Sequence, residues 1–141
     1  MAESPVAVKT DNAPKPAAHY SQGMRVGDFV FVSGQVGVAP GQPGKVAGGI
    51  EAETQQALKN IEEVLRACGG SLRDVVKTTC FVADKAEIPG FNKAYAQLFP
   101  DPPPARSTVE VGLTSGYLVE IEAIAFLPDS RYARTQARQR A

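Results

Sequence analysis

The sequence predicts an α+β fold: one mixed β-sheet with two helices packed on a single face. Three observations lead there. Two stretches carry an apolar stripe at helical spacing. Several shorter stretches are rich in β-branched and aromatic residues and have strand length. In chain order they run strand, strand, helix, strand, helix, strand, strand, and two helices suffice to cover one face of a small sheet. The 141 residues suit one domain with one core. No internal repeat interrupts them.

Residues 1–18, rich in Pro and Ala, read as a flexible N-terminal arm. Residues 19–128 read as the single domain, and residues 129–141 as a polar C-terminal tail. In "RVGDFVFVSG", Gly27-Asp28 makes a tight turn and Phe29 to Ser33 an almost purely apolar strand. Residues 35–49 hold five glycines and two prolines and read as a loop. From 50 to 68, Ile50, Ala57, Leu58, Ile61, Val64, Leu65 and Cys68 keep one helix face. Glu51 and Glu53 sit in its first turn, where the helix dipole favours acids. Gly69-Gly70 ends it, since glycine takes the left-handed cap at little cost. "VVKTTCFV" (75–82) is a β-branched strand. "IPGFNKAYAQLF" (88–99) places Phe91, Ala94, Tyr95, Leu98 and Phe99 on one side of a second helix, and the proline run after it forbids continuation. Strands at 106–111 and 117–126 complete the order.

The last strand has two apolar faces. Val119, Ile121, Ala123 and Ala125 form a core face, while Leu118, Glu120, Glu122, Ile124 and Phe126 form a second, too apolar for open water. "FVFVS" behaves alike. Helices for one face and apolar residues on both imply a partner chain, so an obligate oligomer is expected.

Composition excludes several classes. Hydrophobic residues make up 43%, above what a disordered chain carries. The 15 basic and 15 acidic residues cancel, which argues against a dedicated nucleic-acid surface. No apolar run approaches the roughly 20 residues of a membrane span. The N-terminus has no apolar core of a signal peptide, and with only Cys68 and Cys80 the expectation is a cytoplasmic protein with reduced thiols. Both cysteines fall at core positions. One histidine and no Cys/His cluster argue against a zinc site.

The residues that could carry chemistry lie on the late strands. "DPPPARSTVEV" runs from three prolines into a strand whose first side chain is Arg106. Alternation puts Arg106, Thr108 and Glu110 on one strand face, and Glu120 with Glu122 on one face of the last strand. A structural salt bridge is one reading of such charges. The other is a site, in which the planar guanidinium fork binds a substrate carboxylate and a glutamate activates a water.

Together "SGQVGV", "GGIEAETQQALKNIEEVLRACGGSLRDVVKTTCFV", "FNKAYAQLF", "PPARSTVEV" and "VEIEAIAF" resemble the RidA family, also called YjgF or reactive-intermediate deaminases, from about Tyr20 to Phe126. The resemblance implies a chorismate-mutase-like fold and a homotrimer with sites at the subunit seams. It implies hydrolysis of 2-imino acids, in equilibrium with 2-aminoacrylate-type enamines, to 2-oxo acids and ammonia. No cofactor or metal is implied, because an imine is already electrophilic. Residue by residue, Arg106 of "PARS" would grip the substrate carboxylate and Glu120, opening "EIEAI", would hold the water. Tyr20, Asn92 and Thr108 would line the pocket, with Ser33 and Gly34 of "SGQ" beside it.

Two positions depart from the family pattern. Thr108 stands where some members have cysteine, which removes a reactive thiol, and His19 stands where many have proline. Plainer readings accompany the candidates. Glu122 competes with Glu120, Tyr20 could be an interface aromatic, and Asn92 a helix-face hydrogen bonder. His19 and the tail arginines 131, 134, 138 and 140 could be solvated. Besides the deaminase, two functions stay open: an RNA-cleaving or translation-inhibiting protein, and a non-catalytic binder of small 2-oxo carboxylates.

Overall fold

The computed structural model describes residues 4–128. Their strands are β1 (Val6–Val8), β2 (Gly23–Val26), β3 (Phe29–Val36), β4 (Val75–Val82), β5 (Ala105–Glu110) and β6 (Val119–Phe126). The helices are α1 (Gly49–Arg66) and α2 (Ile88–Leu98). The strands form one sheet in the order β1-β2-β3-β6-β4-β5. Only the β4–β5 pair is parallel, and α2 makes the crossover that a parallel pair requires.

Local chemistry sets the element ends. Gly27, at φ 56°, turns β2 into β3. α1 is entered through Gly48 at φ 117° and left through Gly69 at φ 82°, where the Gly70 N–H donates back to the Leu65 carbonyl at 2.9 Å. Pro89 in the first turn of α2 lacks only a donor that the helix would leave unpaired there. Apart from Leu98, which is 37% exposed, the helical stripes and the odd-numbered β6 residues pack as one core. Ala57, Leu58, Ile61, Phe91, Val119, Ile121 and Ala125 are all fully buried. Each large aliphatic side chain so buried contributes about 1.5–3 kcal/mol.

The opposite sheet face carries no helix. Phe29, Phe31 and Phe126 are 43%, 45% and 41% exposed, and the Phe29 and Phe126 rings touch at 5.4 Å between centroids. The two-faced strands read from sequence are therefore present, with the second face bare in the single chain.

Several details differ from the sequence reading. Part of the 1–18 segment is ordered, because Val6–Val8 pairs with β2. The buried Gln22 amide holds this segment, donating to the Thr10, Ala13 and Pro14 carbonyls and accepting from the Thr10 N–H. β3 extends into the expected loop, ending at Val36 after an irregularity between Val32 and Gln35. Glu53 is not a solvated first-turn acid. It is 1% exposed, accepts from the Leu118 N–H at 3.0 Å and lies 3.5 Å from Lys45 Nζ. Lys45 also donates to the Gly116 carbonyl at 2.7 Å, so one buried carboxylate and its lysine fasten the 37–48 loop to the entry of β6. A Cβ on Gly37, the residue after β3, would fall 2.6 Å from Glu53 Cα, so the close approach of α1 requires a glycine there.

Cys68 and Cys80 are buried and free, and burial pushes both thiols up. No described helix is long and apolar enough to cross a membrane. The arginine-bearing tail, 129–141, lies outside the described residues.

Candidate active site

Arg106 sits on β5, the edge of the sheet, beside Thr78 of β4. Because Thr78 faces the helices, so does Arg106. Its guanidinium carbon lies 5.2 Å from the Phe91 ring centroid and 4.9 Å from that of Tyr95. At that range the ring quadrupoles attract the cation and its plane has a surface to rest on. Tyr95 is itself held. Its hydroxyl shares a 2.7 Å hydrogen bond with Thr78 Oγ1, and its ring packs against Phe91 and Phe99 at 5.5 and 4.5 Å. Burial pushes the Tyr95 phenol up, against the opposing pull of the Thr78 bond, so it stays neutral. The Arg106 side chain remains exposed, and no described carboxylate lies within ion-pair distance of it.

The other residues on that strand face are occupied or inward. The Glu110 carboxylate accepts from the Lys85 N–H at 2.7 Å. Thr108 Oγ1 is buried and has no hydrogen-bond partner.

Glu120 is half-buried on β6, opposite Val36 of β3 and Phe81 of β4. Burial is the main cause that raises its carboxyl pKa, and the neighbouring Glu122 carboxylate adds to it. Its carboxylate rests on bare backbone: a Cβ on Gly34 would fall 2.5 Å from Glu120 Oε1. Ser33, just before, donates from its hydroxyl to the Ser21 carbonyl at 2.6 Å, which ties β3 to the segment bearing Tyr20. Tyr20 is half-exposed at a cleft of about 410 Å³ shared with Lys9 and Lys15. His19 is exposed, and Asn92 is exposed on α2 next to Phe91. No three His, Cys, Asp or Glu side chains among the described residues converge as a metal would need.

Known proteins resemble the chain in sequence and in fold. The profile of the family described as Endoribonuclease L-PSP matches residues 10–127. A RutC family protein of Pyrococcus horikoshii is 43% identical over 118 residues, 83% of this chain and 94% of that one. The 2-iminobutanoate/2-iminopropanoate deaminase of Mus musculus is 41% identical over 119 residues, 84% of this chain and 88% of that one. The solved YjgF gene product of E. coli superposes with a TM-score of 0.81 at 36% identity, covering 86% of this chain and 98% of that one. The chain belongs to the RidA (YjgF) family.

Within this RidA-family chain the candidates fall into two groups that the sheet separates. Arg106, Thr108 and the rings beneath them lie on the helix side. Glu120, with Gly34 against it, lies on the bare side, because β6 pairs Ile121, not Glu120, with the core-facing Cys80. Arg106 and Glu120 thus lie on opposite faces of one sheet. The sequence reading placed Phe91 and Tyr95 on one side of the second helix and missed their role as the surface under Arg106. The signal was available: two aromatics four residues apart on the helix that crosses over into the strand bearing Arg106.

Proposed function

We propose that the chain is a deaminase of 2-imino acids, working where copies of it meet in a homotrimer. Arg106 of one copy grips the substrate carboxylate and Glu120 of another holds the water. The observation that carries this reading is the exposed guanidinium laid on Phe91 and Tyr95 with no carboxylate partner among the described residues. A structural salt bridge would have occupied it. The bare apolar face bearing Phe29, Phe31 and Phe126 supports the assembly, and the name of the mouse relative supports the substrate class.

The chemistry follows from the two groups. Arg106 fixes the carboxylate of a protonated imine by two parallel hydrogen bonds. The Glu120 carboxylate, made more basic by burial and by Glu122, takes a proton from water as the oxygen bonds to the imine carbon. The C=N π pair passes to nitrogen, giving a neutral amine. Glu120 then returns the proton to that nitrogen. As the C–N bond breaks, the new hydroxyl loses its proton to Glu120, and a 2-oxo acid and ammonia leave. Ammonia finally takes the proton from Glu120.

The single histidine and the balance of 15 basic against 15 acidic residues speak against the ribonuclease reading, whose support in the sequence is the four tail arginines.

The test couples the protein to a threonine dehydratase, which supplies 2-iminobutanoate, and follows 2-oxobutanoate formation. The parent accelerates it and Arg106→Ala does not, with the assembly intact by light scattering. Glu120→Gln still binds 2-oxobutanoate by calorimetry but accelerates hydrolysis at least about tenfold less. An Arg106→Ala variant with the parental rate refutes the carboxylate role. Loss of both binding and rate in Glu120→Gln refutes the base.

A further inference from the structure

We infer that Tyr95 is the positioning residue of Arg106, and that the hydroxyl pair it forms with Thr78 locks the guanidinium in its carboxylate-binding pose. This rests on the carboxylate role given to Arg106 above and adds a residue to it.

An arginine on an edge strand has many rotamers, and freezing them is a cost that recurs at each binding event. Here the restriction is built into the free protein. The Tyr95 ring lies 4.9 Å from the guanidinium carbon and cannot turn away, because Phe91 and Phe99 bracket it. Its hydroxyl is anchored to Thr78, which is wholly buried and is the β4 residue in register with Arg106. The strand neighbour of the arginine therefore fixes the ring on which the arginine rests. Backbone register and side-chain pose are tied together through one 2.7 Å hydrogen bond. Phe91 also underlies the guanidinium, but it is fully buried and lacks a hydroxyl, so it supplies surface without an anchor.

The experiment uses Tyr95→Leu, which fills the space without a π face, and Tyr95→Phe, which keeps the ring and loses the anchor. The first readout is phenylglyoxal labelling of the parent and variants, with peptide mass spectrometry reporting Arg106 and, as reference, Arg25, whose guanidinium donates to the Gly27 and Leu127 carbonyls. The second is calorimetric binding of 2-oxobutanoate. Tyr95→Leu is expected to speed labelling of Arg106 alone and to weaken binding about tenfold. Tyr95→Phe should shift both in the same direction by less, which also tests the inference should the leucine variant not fold. Parental binding in Tyr95→Leu overturns the inference. Labelling that rises equally at Arg25 and Arg106 also overturns it, since the residue would then only hold the fold. Parental binding in Arg106→Ala is a different failure. It removes the carboxylate role, while the labelling comparison still decides whether Tyr95 restrains the arginine.

Discussion

Gly34→Ala is the sharpest perturbation the proposed site allows. The new methyl carbon would sit 2.5 Å from Glu120 Oε1, 3.0 Å from Cδ and 3.1 Å from Cγ. Ordinary carbon contacts need about 3.5 Å, so the carboxylate must retreat by about 1 Å. The obstacle is the end of a flexible side chain, half-buried and without a hydrogen bond among the described residues, so the retreat costs the fold less than about 1 kcal/mol. A general base has no such latitude. A misplacement of about 1 Å can cost on the order of 10²-fold in rate. The expected result is a parental melting temperature, parental binding of 2-oxobutanoate, and a rate in the dehydratase-coupled assay lowered about a hundredfold. Because Arg106 lies across the sheet, nothing in its pose should change. A variant with the parental rate would refute the placement of the water beside Glu120. One that loses binding and melts early would show instead that Gly34 serves only the β3 backbone.

Other expectations concern charge, assembly and the buried clasp. Glu122→Gln removes the carboxylate that helps raise Glu120, so Glu120 should ionise at lower pH and the acid limb of the rate profile should move toward acid. An acid whose pKa rises on folding binds its proton more tightly in the native state. Stability therefore falls as pH climbs from the ordinary carboxylate value toward that of Glu120, and pH-dependent melting curves should show Glu122→Gln lessening the fall. Light scattering of the parent should give about 45 kDa, three times 14.9 kDa. Phe31→Glu, a charge in the bare face, should reduce that to one chain and abolish activity. Glu53→Ala would strand the Leu118 N–H and should cost about 1–3 kcal/mol in denaturant unfolding, whereas a parental midpoint would show the clasp to be incidental.

The elements that could be read from the sequence were those with their own punctuation. β4 runs over Val75–Val82 as its β-branched pattern predicts, and α2 spans Ile88–Leu98 between its proline and the proline run. α1 stops two residues short of the expected 68, because the glycine cap draws the Gly70 N–H back to Leu65. β1 was hidden. Three residues among prolines make no pattern, and the segment is held by Gln22, more than ten residues away in the chain from Thr10. Glu53 was hidden for another reason. A first-turn acid ordinarily faces water, and only the approach of Gly37, Lys45 and Leu118 buries this one. Of the site, the family motifs marked Arg106 and Glu120. Strand alternation gave each its local partners, but not which side of the sheet each strand face would take. That depends on β6 lying between β3 and β4 and on its register against Cys80, which are properties of the folded sheet.

The separation of Arg106 from Glu120 by the thickness of a sheet makes activity, on the proposed reading, a property shared between chains. A chain lacking its arginine still lends a sound glutamate to a neighbour, and a chain lacking its glutamate still lends a sound arginine. Two dead variants mixed at equal amounts and allowed to exchange would rebuild about a quarter of the sites in a cyclic trimer, each from one half of either chain. Within such an assembly a harmful substitution is partly masked by its companions, and selection acts on the company a chain keeps as well as on the chain.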